Sequence, residues 1–193
     1  DWEAATEPLL ASIEEEEARN GPFSRNLIDL LTSLGLAYQE HDRHDLALGM
    51  FDRALFLRRF NDGLFGLDQA ALVQRLIASE TAIGRVDSAA ALEERLLDLA
   101  RRNRADPRAA PIFRDAAERE MAYYERYLRG DLPFVMTING DDQQEGAAES
   151  VWRARRHYNQ AILALVGNVA EHQAEREELE EGLMHTYYLE ASH

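Results

Sequence analysis

Residues 31–55 read LTSLGLAYQEHDRHDLALGMFDRAL, and their spacing decides the architecture of the chain. Leu31, Leu34, Gly35 and Tyr38 recur three or four residues apart on one side of a polar turn, His41-Asp42-Arg43-His44. Ala47, Phe51, Ala54 and Leu55 do the same on the other side. Each set marks one face of a helix. Two short helices therefore fold back on each other. Gly35 and Ala47 let the backbones approach closely, while Tyr38 and Phe51 fill the space beside them.

Working outward, residues 1–19 form a helix with Leu9, Leu10 and Ile13 on one face and an acidic run at 14–17. Pro8 is tolerable there if the helix starts near Thr6, because proline suits a first turn. Asn20-Gly21-Pro22 stops it. Ser24 is placed to cap the next helix, which carries Leu27, Ile28, Leu31, Leu34 and Tyr38. A second helix over about 45–60 ends at Asn61-Asp62-Gly63. An offset of 42 then takes Gly21 to Gly63, Phe23 to Phe65, Leu31 to Val73, Leu34 to Leu76, Ala47 to Ala89, Arg53 to Arg95 and Leu55 to Leu97. The same offset takes Ala5, Leu9 and Ile13 to Ala47, Phe51 and Leu55, so residues 1–20 are the second half of an earlier unit.

These residues resemble a tetratricopeptide repeat, whose pattern is Leu-Gly, Tyr, then Ala-x3-Phe-x2-Ala. The usual unit is about 34 residues, and the longer period resembles the kinesin-light-chain-like variety. There an Asn/Asp-Gly-x-aromatic linker precedes a long first helix; here the linkers are Asn20-Gly21-Pro22-Phe23 and Asp62-Gly63-Leu64-Phe65. The run RRFNDGLFGLDQAALVQRLI at 58–77 is similar to that of bacterial, often exported, tetratricopeptide proteins. The resemblance covers residues 1–130 well and the remainder loosely. Glu80 stands where the pattern wants Tyr, and Glu93 where it wants Phe. What the resemblance implies is an all-α, right-handed α-solenoid.

The second hairpin spans about 67–102, turning at Ile83-Gly84-Arg85, and 103–107 is the next linker. A long helix follows to about 128, with Ile112, Phe113, Ala117, Met121, Tyr124 and Leu128 on one side, and Gly130 ends it. Residues 131–146 read as non-helical, with an apolar strip at 133–138. Ala154, Tyr158, Ala161 and Ile162 then repeat the spacing of Ala47, Phe51, Ala54 and Leu55. A final helix near 170–189, with Leu179, Leu183, Tyr187 and an acidic run, caps the stack. The expected organisation is one domain over 1–193 with about eight helices: a half repeat at 1–20, hairpins at 21–62 and 63–104, a third at 105–168 interrupted by an insertion at 130–148, and a capping helix at 169–193.

Composition excludes several chemistries. There is no cysteine, hence no disulfide, thiolate metal site or cysteine nucleophile, and all 21 basic residues are arginine, so there is no Schiff-base lysine. A net charge of -15 argues against a nucleic-acid partner, since phosphate binding needs a basic face. It favours basic or neutral protein partners. No run of about 18 apolar residues occurs, so no membrane insertion is expected.

Chemistry-bearing candidates are sparse. His41 and His44 are three apart and could ligate a metal, but flanking Asp42 and Asp45 make a solvated polar turn the plainer reading. His185 and His193 have no further ligands beside them, and His157 and His172 read as helix-surface residues. Asn139-Gly140-Asp141-Asp142 with Glu145 lacks the twelve-residue calcium-loop pattern. No Gly-rich phosphate loop, nucleophile elbow or HExxH appears. Neither a cofactor nor a metal is therefore expected. The strip Phe134, Val135, Met136 and Ile138 either covers the gap between hairpins or serves as a lid or an edge strand for a partner.

Stacked hairpins of this kind present their first helices along a concave surface. By analogy with the repeat pattern, the groove side holds Asp29, Thr32, Leu36 and Gln39 from the first hairpin and Gln74, Ala78 and Thr81 from the second. Asp115, Glu118 and Glu125 join them from the third. This polar to acidic set lacks the basic clamp of co-chaperone grooves and suits a basic or neutral extended segment; the alternative is that these are merely solvent-facing positions. The function expected is a non-enzymatic protein-protein interaction module, a scaffold or adaptor subunit of a larger bacterial assembly. The alternative is a small-ligand or metal-binding protein using the mouth at the insertion. Export, to the periplasm or to a membrane-associated or secreted complex, is preferred over the cytoplasm because the resembling bacterial proteins are commonly exported.

Overall fold

The computed structural model describes residues 2–131, 142–168 and 171–191. Among them every regular element is helical: eight α-helices and three short 3-10 turns. The chain divides into two compact units, Asp1–Arg102 and Asn103–His193.

The first unit holds α1 (Trp2–Asn20), α2 (Leu27–Glu40), α3 (His44–Asp62), α4 (Ala70–Ala82) and α5 (Val86–Arg102), each packed on the next in chain order. From α2 the buried side chains include Leu27, Ile28, Leu31, Leu34 and Tyr38, and from α3 Ala47, Phe51, Ala54, Leu55 and Leu57. The closest approach is at Gly35, where a Cβ would lie 2.5 Å from Cε1 of Phe51. The ring sits directly on bare backbone. In the second hairpin the residues 42 further on are Ile77 and Glu93, both half-buried. Ring and glycine are absent together, and the packed pair α4 and α5 buries instead Leu72, Val73 and Leu76 from one helix and Ala89, Leu96, Leu97 and Ala100 from the other. Glu80 lies at the turn, 3.5 Å from Arg85.

The backbone repeats as the side chains do. Gly21 and Gly63 have φ of 85° and 96°, and their N–H groups donate to the carbonyls of Glu17 (2.9 Å) and Arg59 (3.1 Å). Each hairpin turns through one left-handed residue, Asp42 (φ 57°) and Gly84 (φ 77°). The following N–H then donates across the turn, Arg43 to Tyr38 and Arg85 to Glu80, each at 2.9 Å. Hydrogen bonds related by the repeat offset place equivalent residues in equivalent conformations.

Two local expectations are corrected in this unit. Pro8 lies inside α1, which starts at Trp2 rather than near Thr6. The proline leaves the carbonyl four residues before it without a helical donor, yet the helix runs through it; nearby, Thr6 Oγ1 donates to the Glu3 carbonyl (3.2 Å) and Ser12 Oγ to the Pro8 carbonyl (2.8 Å). Ser24 does not cap α2, whose N-cap position is Asn26 and carries no side-chain cap. The Ser24 hydroxyl donates instead to Glu16 of α1, which also accepts from Asn20 (3.0 Å) and Asn26 (2.9 Å). Those hydrogen bonds, from Ser24 first and Asn20 next, hold the Glu16 carboxyl below its ordinary pKa. Glu16 thus pins the linker between α1 and α2.

The second unit holds α6 (Ala110–Arg129), α7 (Asp142–Ala164) and α8 (Gln173–Ala191), with α7 packed on both others. Ile112, Phe113, Ala116, Ala117, Met121 and Tyr124 of α6 are buried, as are Ala147, Val151, Ala154, Tyr158 and Ala161 of α7. Tyr158 repeats the ring-on-glycine contact: a Cβ on Gly182 of α8 would lie 2.7 Å from its ring. Here the glycine comes from the following helix, whereas Gly35 precedes its ring. Arg153 of α7 grips Glu120 of α6 through two bonds of 2.8 and 3.1 Å. Gly130, at φ 72°, closes α6.

Residues 142–146, expected to be non-helical, are helical. Helix α7 already begins at Asp142, because Ala147 and Val151 bury against Tyr124 and continue the stripe of Ala154 and Tyr158 backwards. His157, expected on a helix surface, is buried, its ring stacked on Phe113 at 6.4 Å with an interplanar angle of 17°.

Candidate functional site

The groove candidates of the first unit lie on α2 and α4. Gln39 ties these helices together, its Nε2 donating to Ser79 Oγ (2.7 Å) and to the Arg75 carbonyl (3.1 Å). Ser79 is fully buried, so the amide is committed to structure. Thr32 is half-buried and donates to the Ile28 carbonyl at 2.6 Å, and Leu36 is also half-buried. Asp29, Gln74, Ala78 and Thr81 are exposed. The tie thus joins two helices whose outer face is small, polar and, at Asp29, acidic.

Asp115, Glu118 and Glu125 belong to α6 in the second unit. Each stands beside an arginine of its own helix: Asp115 and Glu118 at 3.8 Å from Arg114, Glu125 at 3.6 Å from Arg129. Phe134, Val135, Met136 and Ile138 lie outside the described residues, as does His193.

Two surface features were not anticipated. Phe23, in the α1–α2 linker, packs with Phe56 and Phe60 of α3 at centroid distances of 6.3 and 5.2 Å. All three rings are more than half exposed. One repeat later Phe65 is covered by the guanidinium of Arg102, 4.4 Å from its centroid, and Arg102 stands 42 residues after Phe60. The linker aromatic is therefore seated by a ring in one repeat and by a cation in the next. The signal was present in the spacing: Phe56 and Phe60 are four apart, on the helix face opposite Ala47, Phe51 and Ala54.

The second feature is an open depression of about 750 Å³ along α8, lined by Glu178, Glu181, Met184, His185, Tyr187 and Tyr188. Arg155 lies over Tyr187 at 4.0 Å.

The histidine pair in the first turn does not assemble a metal site. His44 Nε2 is 4.0 Å from Asp42, His41 is exposed, and among the described residues no three His, Asp or Glu side chains are placed to hold a metal ion. His172 is half-buried beside Glu175 at 3.4 Å. Displaced titrations accompany packing: desolvation pushes the Tyr124 and Tyr158 hydroxyls up, and desolvation, then the Glu80 carboxylate, pushes Asp52 up. Among the described residues no helix is long and apolar enough to cross a membrane. No protein-family model matches the chain, and no curated protein matches it.

Proposed function

We propose that this chain is a non-enzymatic interaction module of tetratricopeptide type, a scaffold or adaptor subunit of a bacterial assembly. In this reading its hairpins stack as a right-handed solenoid, and the face of α2 and α4 receives an extended segment of a partner protein. The observation that carries it is the Gln39 tie, which joins the first helices of successive hairpins and leaves Asp29, Gln74, Ala78 and Thr81 outward. With a net charge of -15, the segment that fits is basic or neutral rather than acidic. An exported, membrane-associated or secreted complex is the preferred setting, on the strength of the bacterial resemblance.

The test is a titration of isotope-labelled protein with short extended peptides of arginine-rich, neutral and glutamate-rich composition. Arginine-rich or neutral peptides should shift the backbone amides of Asp29, Gln74, Ala78 and Thr81, and replacing Asp29 and Thr81 with arginine should weaken that response. Equal binding of the glutamate-rich peptide, or shifts confined to other helices, would overturn the reading.

A further inference from the structure

The repeat also exposes a substitution of charge. Arg53 of α3 pairs with Glu17 of α1. One period later the same two positions hold Arg95 of α5 and Arg59 of α3. Their equivalence is fixed by backbone: Gly21 donates to the Glu17 carbonyl as Gly63 donates to that of Arg59. An ion pair in one repeat has become two like charges in the next.

The two guanidiniums are not apart. Arg59 Nε donates to Gln69 Oε1 at 3.2 Å and Arg95 Nη2 to the same oxygen at 3.3 Å. Gln69 is 1% exposed, and its Nε2 donates to the Gly63 carbonyl at 3.1 Å, which fixes Oε1 toward the arginines. Arg95 Nε is buried and has no partner among the described residues. Neither guanidinium has a described carboxylate within salt-bridge distance, whereas neighbouring Arg58 reaches Asp62 at 3.0 Å and Arg85 reaches Glu80. Asp52, two turns away on α3, acts on Arg59 only at longer range. Burial first, then Arg95, holds the Arg59 guanidinium below its ordinary pKa.

We infer that Arg59, Arg95 and Gln69 form a site for an oxyanion, a carboxylate or a phosphate, that replaces the glutamate of the preceding repeat. Each guanidinium presents five donors in a fixed fork, and the shared amide oxygen uses one from each. Each half-buried cation therefore keeps donors beyond the one given to the amide oxygen, and the several oxygens of an anion can bridge them. Bridging would supply the negative charge that Glu17 provides to Arg53. The site lies on α3 and α5 rather than on the face of α2 and α4, and does not depend on the function proposed above.

The experiment compares thermal unfolding of the whole chain in sodium chloride, phosphate and acetate at matched ionic strength. At ten times its dissociation constant the anion should raise the folding equilibrium constant about elevenfold. A midpoint raised by phosphate alone identifies a phosphate site, and one raised by acetate a carboxylate site. Arg95→Gln should abolish the response. Arg59→Glu, which rebuilds the earlier ion pair, should unfold at a higher temperature than the parent in chloride and show no anion response, so that a poorly folding Arg95→Gln leaves the test intact. In the parent, the side-chain Nε–H signals of Arg59 and Arg95 should move with the effective anion. Equal midpoints in all three salts, or a response that survives Arg59→Glu, would overturn the assignment.

Discussion

Replacing Gly35 with alanine sets two known effects against each other, and the structure says which wins. Alanine is a better helix former than glycine by about 0.5–1 kcal/mol, so a surface site would gain stability. At Gly35 the added carbon would lie 2.5, 2.8 and 2.8 Å from three ring atoms of Phe51, against roughly 3.5–4.0 Å for an ordinary carbon contact. The ring is fully buried and cannot swing out, so α2 and α3 must separate. Overpacking of this kind costs about 1–3 kcal/mol, and the net effect expected is a loss of about 1–2 kcal/mol. Urea unfolding of the whole chain, followed by circular dichroism, measures it. A cycle with Phe51→Leu isolates the contact, because the smaller side chain should return Gly35→Ala to neutral or stabilising. If Gly35→Ala alone stabilised the protein by the propensity increment, the ring-on-backbone account of the first hairpin would be wrong.

Two further outcomes follow from the turn and the linker. Asp42→Gly should stabilise the chain by about 0.5–1 kcal/mol, because Asp42 occupies the left-handed region where the next hairpin has Gly84; a lowered urea midpoint would count against it. Glu16 has a folded-state pKa below its unfolded one, so its contribution is present above the ordinary glutamate range and disappears as pH falls through the folded value. The midpoint difference between the parent and Glu16→Gln should therefore close on acidification, and a difference that stayed constant with pH would remove Glu16 as the linker pin.

The hairpins were legible because the fold rests on residues whose spacing is unambiguous: Gly35 with Phe51, and the apolar stripes around Ala47 and Ala154. What escaped was set by contacts between elements. Nothing near Ser24 announces that Glu16, eight residues earlier, will take its hydroxyl. His157 reads as a surface residue until Phe113 of another helix is laid flat against it. Pro8 suits a first turn by its own lost N–H, whereas the helix already runs for six residues, 2–7, before it. The start of α7 was hidden because residues at 142–148 are polar or small, and only Ala147 against Tyr124 shows that the helix begins early. At the candidate face, spacing placed Gln39 correctly on α2 but could not reveal that its amide is occupied by Ser79. The arginine pair was invisible for a related reason: the offset that equates Arg53 with Arg95 carries no warning until the residue opposite each is known.

The unequal construction of the two hairpins has a practical consequence. Where a ring rests on bare backbone, nearly every replacement at Gly35 or Phe51 collides or leaves a void, so α2 and α3 form the brittle half of the first unit. The half-buried Ile77 and Glu93 of α4 and α5 impose no such demand. Random mutagenesis screened for solubility should accumulate viable diversity there, and a designer grafting a new specificity onto this scaffold would begin with those two helices.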